Sequence, residues 1–238
     1  MIDTVVVSGG NIQVDFALDF LKKLKKETNR KTSAQKSTSH SKDSKELQLI
    51  AADKGLEFFI TAGITPDLIV GDFDSLSQEG KDFLESKKND MEIVRLKPEK
   101  DDSDTQSAMN LAIGRGAKDI AILGVTGRRV DHLIANFGLL ILGQNEGAKI
   151  SLIDQYNYVT LIPDGTVLKR EEQFGRYVSF FSIGGDVDGL TLEGFKYPLR
   201  GYHLTAADSG LTVSNEIREK QARVTYTSGQ LMMIMSRD

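Results

Sequence analysis

The stretch that decides the fold is DLIVGDFDSL, residues 67–76. Its first half is an apolar run rich in β-branched residues, which predicts a buried strand. Gly71 ends that strand, and Asp72 and Asp74 follow two positions apart. In an α/β sheet, ligands bind just beyond the carboxyl ends of the strands, and two carboxylates held there suit a hard divalent cation such as Mg²⁺. The alternative is that both acids only form the turn, because Asp is common at strand ends.

The bulk composition narrows the class of protein. The chain has 238 residues, which is enough for one large domain or two modest ones. Its formal net charge of -4 argues against a nucleic-acid binder, which usually carries a basic surplus. The absence of cysteine excludes disulfides, zinc–thiolate sites and a catalytic thiol. No apolar run is long enough for a membrane span, and the first residues are typical of a strand and not of a signal peptide. We therefore expect a cytoplasmic protein without a membrane partner.

Two patterns of secondary structure follow one another along the chain. Up to about residue 154, strands alternate with helices, which predicts an α/β domain whose parallel sheet is covered on both faces. After residue 154, short β-like runs separated by turns such as Pro163-Asp164-Gly165 predict an antiparallel sandwich or a barrel-like domain. We therefore expect one domain over residues 1–154 and a second over residues 155–238.

Residues 28–44 interrupt the first pattern. They follow a predicted helix over residues 15–26 and contain no large apolar side chain. Such a segment cannot bury enough apolar surface to order itself. The composition therefore predicts a mobile, weakly basic surface insertion.

A second acidic loop, KPEKDDSDT at residues 97–105, lies between a predicted strand and a predicted helix. Its acids are good residues for a helix start, so a capping role is the plain alternative. One cap needs one residue, however, whereas Asp101, Asp102 and Asp104 crowd together beside Lys100. Carboxylates so close repel one another unless a cation screens them. We favour a metal and polyphosphate site.

A third loop, GVTGRRVDH at residues 124–132, also joins a predicted strand to a helix. Arg128 and Arg129 can bind phosphate oxygens, and the helix start adds N–H donors. A helix entry with surface arginines is the alternative reading of this loop alone. Acids for Mg²⁺ and bases for phosphate together predict phosphoryl-type transfer, and no P-loop motif is present. The loop and the following helix add three polar side chains: Asp131, His132 and Asn136.

Three ordered motifs resemble those of the thiamine pyrophosphokinase family. They are GDFDS at residues 71–75, KDDSDT at 100–105 and GVTGRRVDHLIAN at 124–136. The similarity continues in GFKYPL at residues 194–199 and VSNE at 213–216. Three motifs in order, followed by the change to β structure, make the match specific.

This resemblance implies transfer of a pyrophosphoryl group from ATP to the hydroxyl of thiamine, giving thiamine diphosphate and AMP with Mg²⁺ as cofactor. It implies an α/β nucleotide-binding domain followed by a β-sandwich, in a homodimer with active sites at the subunit interface. By motif position, the Mg²⁺ and catalytic group is Asp72, Asp74, Asp101 and Asp104, with Asp131 in the same catalytic cluster. The nucleotide-binding residues are Asp53, Lys100, Arg128, Arg129, His132 and Asn136. The thiamine-binding residues are Tyr197, Ser214 and Asn215.

Two other functions compete with this one. The chain could be another Mg²⁺-dependent phosphotransferase or a nucleotide hydrolase that uses the same acids. It could also be a non-catalytic sensor of nucleotide or thiamine, which would bind ATP without producing AMP. The many carboxylates beside phosphate-binding arginines argue against a sensor, because binding alone does not require them.

Overall fold

The computed structural model describes residues 1–36, 46–88, 91–97, 99, 101–127, 129–208 and 210–238, with only the backbone over residues 31–36. Two units divide the chain, one over Met1–Gln155 and the other over Tyr156–Asp238. Among the helices in these ranges, none is both long enough and apolar enough to cross a membrane.

Six parallel strands form the sheet of the first unit, in the order β6-β5-β1-β2-β3-β4. The strands are β1 (Thr4–Val7), β2 (Gln48–Ala52), β3 (Leu68–Gly71), β4 (Glu92–Arg95), β5 (Asp119–Leu123) and β6 (Lys149–Ile153). The helices are α1 (Val14–Lys36), α2 (Leu56–Ala62), α3 (Gln78–Lys87), α4 (Asp104–Gly114) and α5 (Val130–Asn145), with a 3₁₀ turn at Asp53–Gly55. The predicted parallel α/β sheet is confirmed.

The strand order explains where a ligand would bind in this unit. Strands β1 and β3 are buried along their whole length, as expected for a sheet covered on both faces. The chain adds β2, β3 and β4 on one side of β1, and then β5 and β6 on the other. Such a reversal opens a crevice at the carboxyl ends of the strands. The loops that follow β1, β2, β3 and β5 therefore meet at one edge of the sheet.

Helix α1 is longer than the sequence pattern predicted. It continues from residue 26 to Lys36, through part of the stretch for which no regular structure was expected. Lys, Arg, Glu, Gln and Ala have good helix propensity, so a helix can continue through this stretch without large apolar residues. Residues 37–44 of the predicted insertion lie outside the described residues.

The second unit contains two antiparallel sheets of four strands, in the orders β12-β9-β14-β7 and β11-β10-β13-β8. Both sheets contribute to one apolar core, for example through Phe180, Leu190 and Leu231. The predicted antiparallel sandwich is confirmed, although β11 and β12 were not predicted. The strands are β7 (Asn157–Ile162), β8 (Thr166–Lys169), β9 (Tyr177–Ser182), β10 (Val187–Glu193), β11 (Leu199–Leu204), β12 (Asn215–Glu216), β13 (Gln221–Thr225) and β14 (Leu231–Ser236).

Candidate active site

Three carboxylates meet at the carboxyl ends of β2 and β3. These strands pair in parallel, with Ala52 opposite Val70, so the residues just beyond them are neighbours. Asp53, Asp72 and Asp74 each place a carboxylate oxygen within 4.8 Å of the other two. The backbone of Asp53 is left-handed, with φ 46, a conformation that Asp tolerates better than most residues. We call these three residues the acid cluster.

Mutual repulsion dominates the electrostatics of the acid cluster. The pKa of Asp74 is raised above its usual value, first by the negative charge of Asp72 and further by the charges of Asp53 and Asp104. The backbone N–H of Asp74 donates to Asp72 Oδ1 at 3.2 Å, which holds the two acids together. Because the acids are held close in spite of their repulsion, a bound cation would stabilise the cluster.

The two carboxylate oxygens of Asp53 show whether the acid cluster fits a cation. Its Oδ2 accepts a hydrogen bond from Ser75 Oγ at 2.5 Å. Its Oδ1 is buried and has no hydrogen-bond partner among the described residues. A buried unpartnered oxygen is costly, and a cation that prefers oxygen ligands would satisfy it. The acid cluster therefore fits a hard divalent cation, with Asp53 on the metal side and not only on the nucleotide side.

The polar residues at the start of α4 make two kinds of contact: some cap the helix, and one lies near the acid cluster. Ser103 Oγ caps the helix by accepting from the Gln106 N–H at 3.2 Å, and Asp102 Oδ1 accepts from Gln106 Nε2 at 2.6 Å. Asp104 begins α4 and lies near enough to raise the pKa of Asp74. Within the described ranges, neither it nor Asp101 joins the acid cluster. Lys100 lies outside the described residues.

The loop after β5 carries an internal ion pair. Arg129 binds Asp131 in a bidentate way, with Nε–Oδ1 at 3.1 Å and Nη2–Oδ2 at 2.5 Å. This guanidinium lowers the pKa of Asp131 to about 2. Asn136 Nδ2 donates to the carbonyl of Val125 at 2.9 Å, which ties α5 to the loop. His132 is exposed on α5. Arg128 lies outside the described residues.

Close backbone contacts hold these loops together. The N–H of Gly10 donates to the carbonyl of Gly124 at 2.9 Å, and a Cβ at Gly10 would lie 2.2 Å from that oxygen. A Cβ at Gly55 would lie 1.9 Å from the carbonyl oxygen of Val7. Only glycine fits at these two positions without a backbone shift. The ends of β1, β2 and β5 are thereby kept side by side.

The three residues predicted to bind thiamine lie in the second unit. Tyr197 is 54% exposed, and Lys196 Nζ lies 5.3 Å from the centroid of its ring. Ser214 is exposed and left-handed, with φ 56, an uncommon conformation for a residue other than glycine. Asn215 is only 1% exposed, and its amide is bonded to the backbone of Tyr197 and Glu216.

Two features of these sites were missed by the sequence reasoning. Ser75 belongs to the quoted GDFDS motif, and its hydroxyl orients Asp53. Asp53 itself was not placed with the metal ligands. The available signal was its position directly after a predicted strand that precedes the GDFDS strand, because consecutive strands of such a sheet are commonly neighbours.

The comparisons with known proteins agree with the motifs. The family model for the thiamin pyrophosphokinase catalytic domain matches residues 39–152, and the model for the vitamin B1 binding domain matches residues 165–231. The thiamine pyrophosphokinase of Bacillus subtilis (strain 168) is 35% identical over 189 residues, which cover 79% of this chain and 87% of that protein.

Solved structures give the same result. A crystal structure of the Bacillus subtilis thiamine pyrophosphokinase is similar with a TM-score of 0.76 and 30% identity, and covers 99% of each chain. The structure of the Geobacillus thermodenitrificans thiamin pyrophosphokinase has a TM-score of 0.75 and 28% identity, covering 99% of this chain and 97% of that one. With both family models matched in order and a relative above 30% identity over most of its length, the chain is an enzyme that belongs to the thiamine pyrophosphokinase family.

Proposed function

We propose that the chain transfers a pyrophosphoryl group from ATP to the hydroxyl of thiamine, using Mg²⁺, and releases thiamine diphosphate and AMP. The thiamine hydroxyl oxygen would bond to the β-phosphorus of ATP. The bond from that phosphorus to the oxygen bridging the α-phosphate would break, so that AMP leaves with the bridging oxygen, and the hydroxyl proton would be lost. Family membership supports formation of thiamine diphosphate by pyrophosphate transfer.

The acid cluster is the observation that carries the Mg²⁺ part of the proposal. Asp53, Asp72 and Asp74 would hold the ion, because their oxygens converge within 4.8 Å and one of them is buried without a partner. Bound there, Mg²⁺ would neutralise the charge on the transferring phosphate oxygens. Asp104, whose charge reaches Asp74, would add to the negative field that holds the ion.

Arg129 is the described candidate for binding ATP phosphates. Its guanidinium is exposed, and Asp131 binds its Nε–Nη2 edge and holds it in one orientation. An arginine already oriented by a carboxylate loses less conformational freedom when it binds a second anion. Lys100, Arg128 and His132 remain predicted phosphate or nucleotide contacts, and Asn136 supports the loop through Val125.

Thiamine is a cation with two aromatic rings, so its site needs an aromatic surface and a few polar groups. Tyr197 offers an exposed ring, and Ser214 an exposed hydroxyl on a strained backbone.

Homodimerisation and a cytoplasmic location belong to the same proposal. A homodimer would have a mass in solution about twice that of the 26.2 kDa chain, which light scattering after gel filtration measures.

The decisive experiment incubates the purified chain with ATP, Mg²⁺ and thiamine, and quantifies nucleotides and thiamine phosphates by chromatography. We expect AMP and thiamine diphosphate in equal amounts, and neither when thiamine or Mg²⁺ is omitted. AMP or ADP formed at the same rate without thiamine would indicate a nucleotide hydrolase. ATP binding without any AMP would indicate a sensor, and thiamine monophosphate with ADP would indicate simple kinase chemistry.

Variants of the acid cluster connect this reaction to the site. Asp72→Asn and Asp74→Asn should each reduce turnover by about two orders of magnitude or more, since each removes a charged ligand at nearly constant volume. Asp19→Asn is the matched control, because Asp19 is an exposed acid on α1 whose recorded partner is Lys22. Near-normal turnover of both cluster variants would contradict the proposed metal site.

A further inference from the structure

Asn215 uses its side-chain amide as a backbone partner. Its Oδ1 accepts from the N–H of Tyr197 at 3.0 Å and from the N–H of Glu216 at 2.9 Å. Its Nδ2 donates to the carbonyl of Tyr197 at 2.7 Å. An amide oxygen has two acceptor sites, and both are used. Because the residue is 1% exposed, a substrate cannot reach this amide without breaking these bonds.

The same bonds complete a short ladder beside Tyr197. Phe195 forms an isolated antiparallel bridge with Ile217, and the N–H of Lys196 donates to the carbonyl of Glu216 at 2.9 Å. At Tyr197, the next residue along, the Asn215 side chain supplies hydrogen bonds to both the N–H and the carbonyl. Both polar groups of the Tyr197 backbone are therefore hydrogen-bonded to Asn215, whereas the Tyr197 side chain is exposed to solvent.

A lysine that is itself held by an ion pair lies over the ring of Tyr197. Lys196 Nζ, near this ring, is held by Glu216 Oε1 at 2.8 Å. Glu216 also binds Arg176 Nε at 3.0 Å, and these two cations lower the pKa of its carboxyl. With that arrangement in place the tyrosine is still 54% exposed. An exposed aromatic ring on a backbone that is held in place is a surface on which a flat cationic ring stacks.

Ser214 lies between two buried anchors. Thr212 is fully buried and its hydroxyl donates to the carbonyl of Phe180 at 2.5 Å, whereas Asn215 on the other side is held as described above. A non-glycine residue in the left-handed region persists when its surroundings hold it there. Asn215 thus holds the backbone of Tyr197 through hydrogen bonds and the backbone of Ser214 as its neighbour in the chain. These two exposed residues are the candidate substrate contacts.

We propose that Asn215 is a positioning residue, which fixes the place of Tyr197 for an aromatic cation substrate and does not itself touch that substrate. This inference rests on the proposed function and changes one part of it: the motif position suggested a direct thiamine contact for Asn215. In the structure, both acceptor sites of its amide oxygen and one N–H of its amide nitrogen are bonded to the protein backbone. Its effect on the substrate passes through the ring of Tyr197.

A double-mutant cycle separates an indirect role from a direct one. We would measure kcat and the KM for thiamine and for ATP in the unchanged chain, in Asn215→Ala, in Tyr197→Ala and in the double variant. Asn215→Ala should raise the thiamine KM about tenfold, the factor expected from one or two lost net hydrogen bonds, and leave the ATP KM within about twofold. The double variant should be no worse than Tyr197→Ala alone.

Three controls accompany the cycle. Asn215→Ser keeps a small uncharged acceptor at this buried position, so its thiamine KM should be intermediate, and it replaces Asn215→Ala if that variant does not fold. Asp164→Ala is the matched control, because Asp164 Oδ1 also accepts from a tyrosine N–H, that of Tyr226, at 2.9 Å. Its thiamine KM should not change. Hydrogen exchange of the Tyr197 amide should accelerate in Asn215→Ala, independently of any turnover.

The outcomes distinguish this inference from the proposed function. Effects of Asn215→Ala and Tyr197→Ala that multiply in the double variant would show that the effect of Asn215 does not pass through Tyr197, which overturns the inference. A lowered kcat with an unchanged thiamine KM in Asn215→Ala would also overturn it. If the unchanged chain forms no thiamine diphosphate, the proposed function fails first and this inference fails with it.

Discussion

Replacing Asp53 by Asn should stabilise the metal-free protein and remove its stabilisation by Mg²⁺. In the unchanged chain, Asp53 Oδ1 is buried and has no hydrogen-bond partner in the part of the chain that the structure describes, and two further carboxylates lie within 4.8 Å. Asparagine keeps one oxygen, which accepts from the hydroxyl of Ser75, and replaces the other oxygen by an NH2 group. That group can donate a hydrogen bond to a neighbouring carboxylate. The substitution therefore relieves repulsion while it removes a charged ligand.

The size of the two effects follows from the burial of that oxygen. An unpartnered buried polar group costs about 1–3 kcal/mol, so we expect the metal-free Asp53→Asn variant to gain about 1 kcal/mol. For a chain of this length, that gain corresponds to a rise in Tm of about 2–4 °C. Mg²⁺ at one hundred times its Kd should stabilise the unchanged chain by about 2.7 kcal/mol. In the variant, this increment should fall by more than about half, because one of three ligands is lost.

Scanning calorimetry in EDTA and then in a series of Mg²⁺ concentrations measures both effects. If the two units melt separately, the transition that Mg²⁺ moves in the unchanged chain is the one to follow. The control Asp19→Asn should change the Tm little and keep the full Mg²⁺ response, since it removes only an exposed surface ion pair with Lys22. A lower Tm of Asp53→Asn in EDTA, or a full Mg²⁺ response of that variant, would refute the reasoning.

Three further predictions follow from other contacts. Gly55→Ala should lower the free energy of unfolding in urea by about 1–3 kcal/mol or more, because its Cβ would lie 1.9 Å from a backbone carbonyl of β1. Gly138→Ala on α5 should raise it by about 0.5–1 kcal/mol, because an added Cβ there meets no atom of the described residues within 4 Å beyond its own helical turn. Similar values for the two variants would contradict the tight turn. His203→Gln should lower the Tm near pH 5.5 and change it little near pH 9. The Asp188 carboxylate on β10 raises the pKa of His203 above 6.5. The stabilisation by this pair is therefore fully present below about pH 6.5 and is lost as the pH rises through the pKa of the folded state. Equal losses at both pH values would show that the ion pair is irrelevant. Arg129→Ala should raise the KM for ATP about tenfold and leave the KM for thiamine unchanged. Asp131→Asn should raise the KM for ATP less, because the arginine remains but loses its bidentate partner. An effect on the KM for thiamine as large as that on the KM for ATP would argue against a phosphate contact.

The α/β unit was predictable because its local signals agree with one another. The apolar run over residues 68–70 is too short for a helix, is rich in β-branched residues and ends at Gly71. The strand and the helix predicted on either side of the second acidic loop correspond to β4 and α4. The order of the strands was not predicted, because neighbours in a parallel sheet are chosen by packing between distant segments.

Two strands of the sandwich escaped the same reasoning. Residues 199–204 read LRGYHL, in which Arg200 and Gly201 interrupt the alternation that predicts a strand. Strand β12 has only two residues, Asn215 and Glu216, neither of which favours strands. These strands exist because their partners hold them, which a local pattern does not reveal.

The candidate sites show the same division between residue type and residue position. The motifs identified the loops after β3 and β5, but which acids meet depends on which strands are neighbours. Because β2 lies beside β3, Asp53 joins Asp72 and Asp74, and Asp101 does not. Likewise, the motif marked Asn215, although only the fold shows that its amide is turned inward to the backbone of Tyr197.

The central place of β1 has a consequence for synthesis of the chain. This strand pairs Thr4 with Gln48 on one side and with Ile120 on the other. On the ribosome, β2 can pair with β1 early, but the second edge of β1 stays open until β5 has been made. That edge is a run of three valines, which is the kind of exposed strand that recruits other chains. Folding of this unit is thus governed by long-range pairing, and the nascent chain passes through a state in which a chaperone that covers β1 would be of most use.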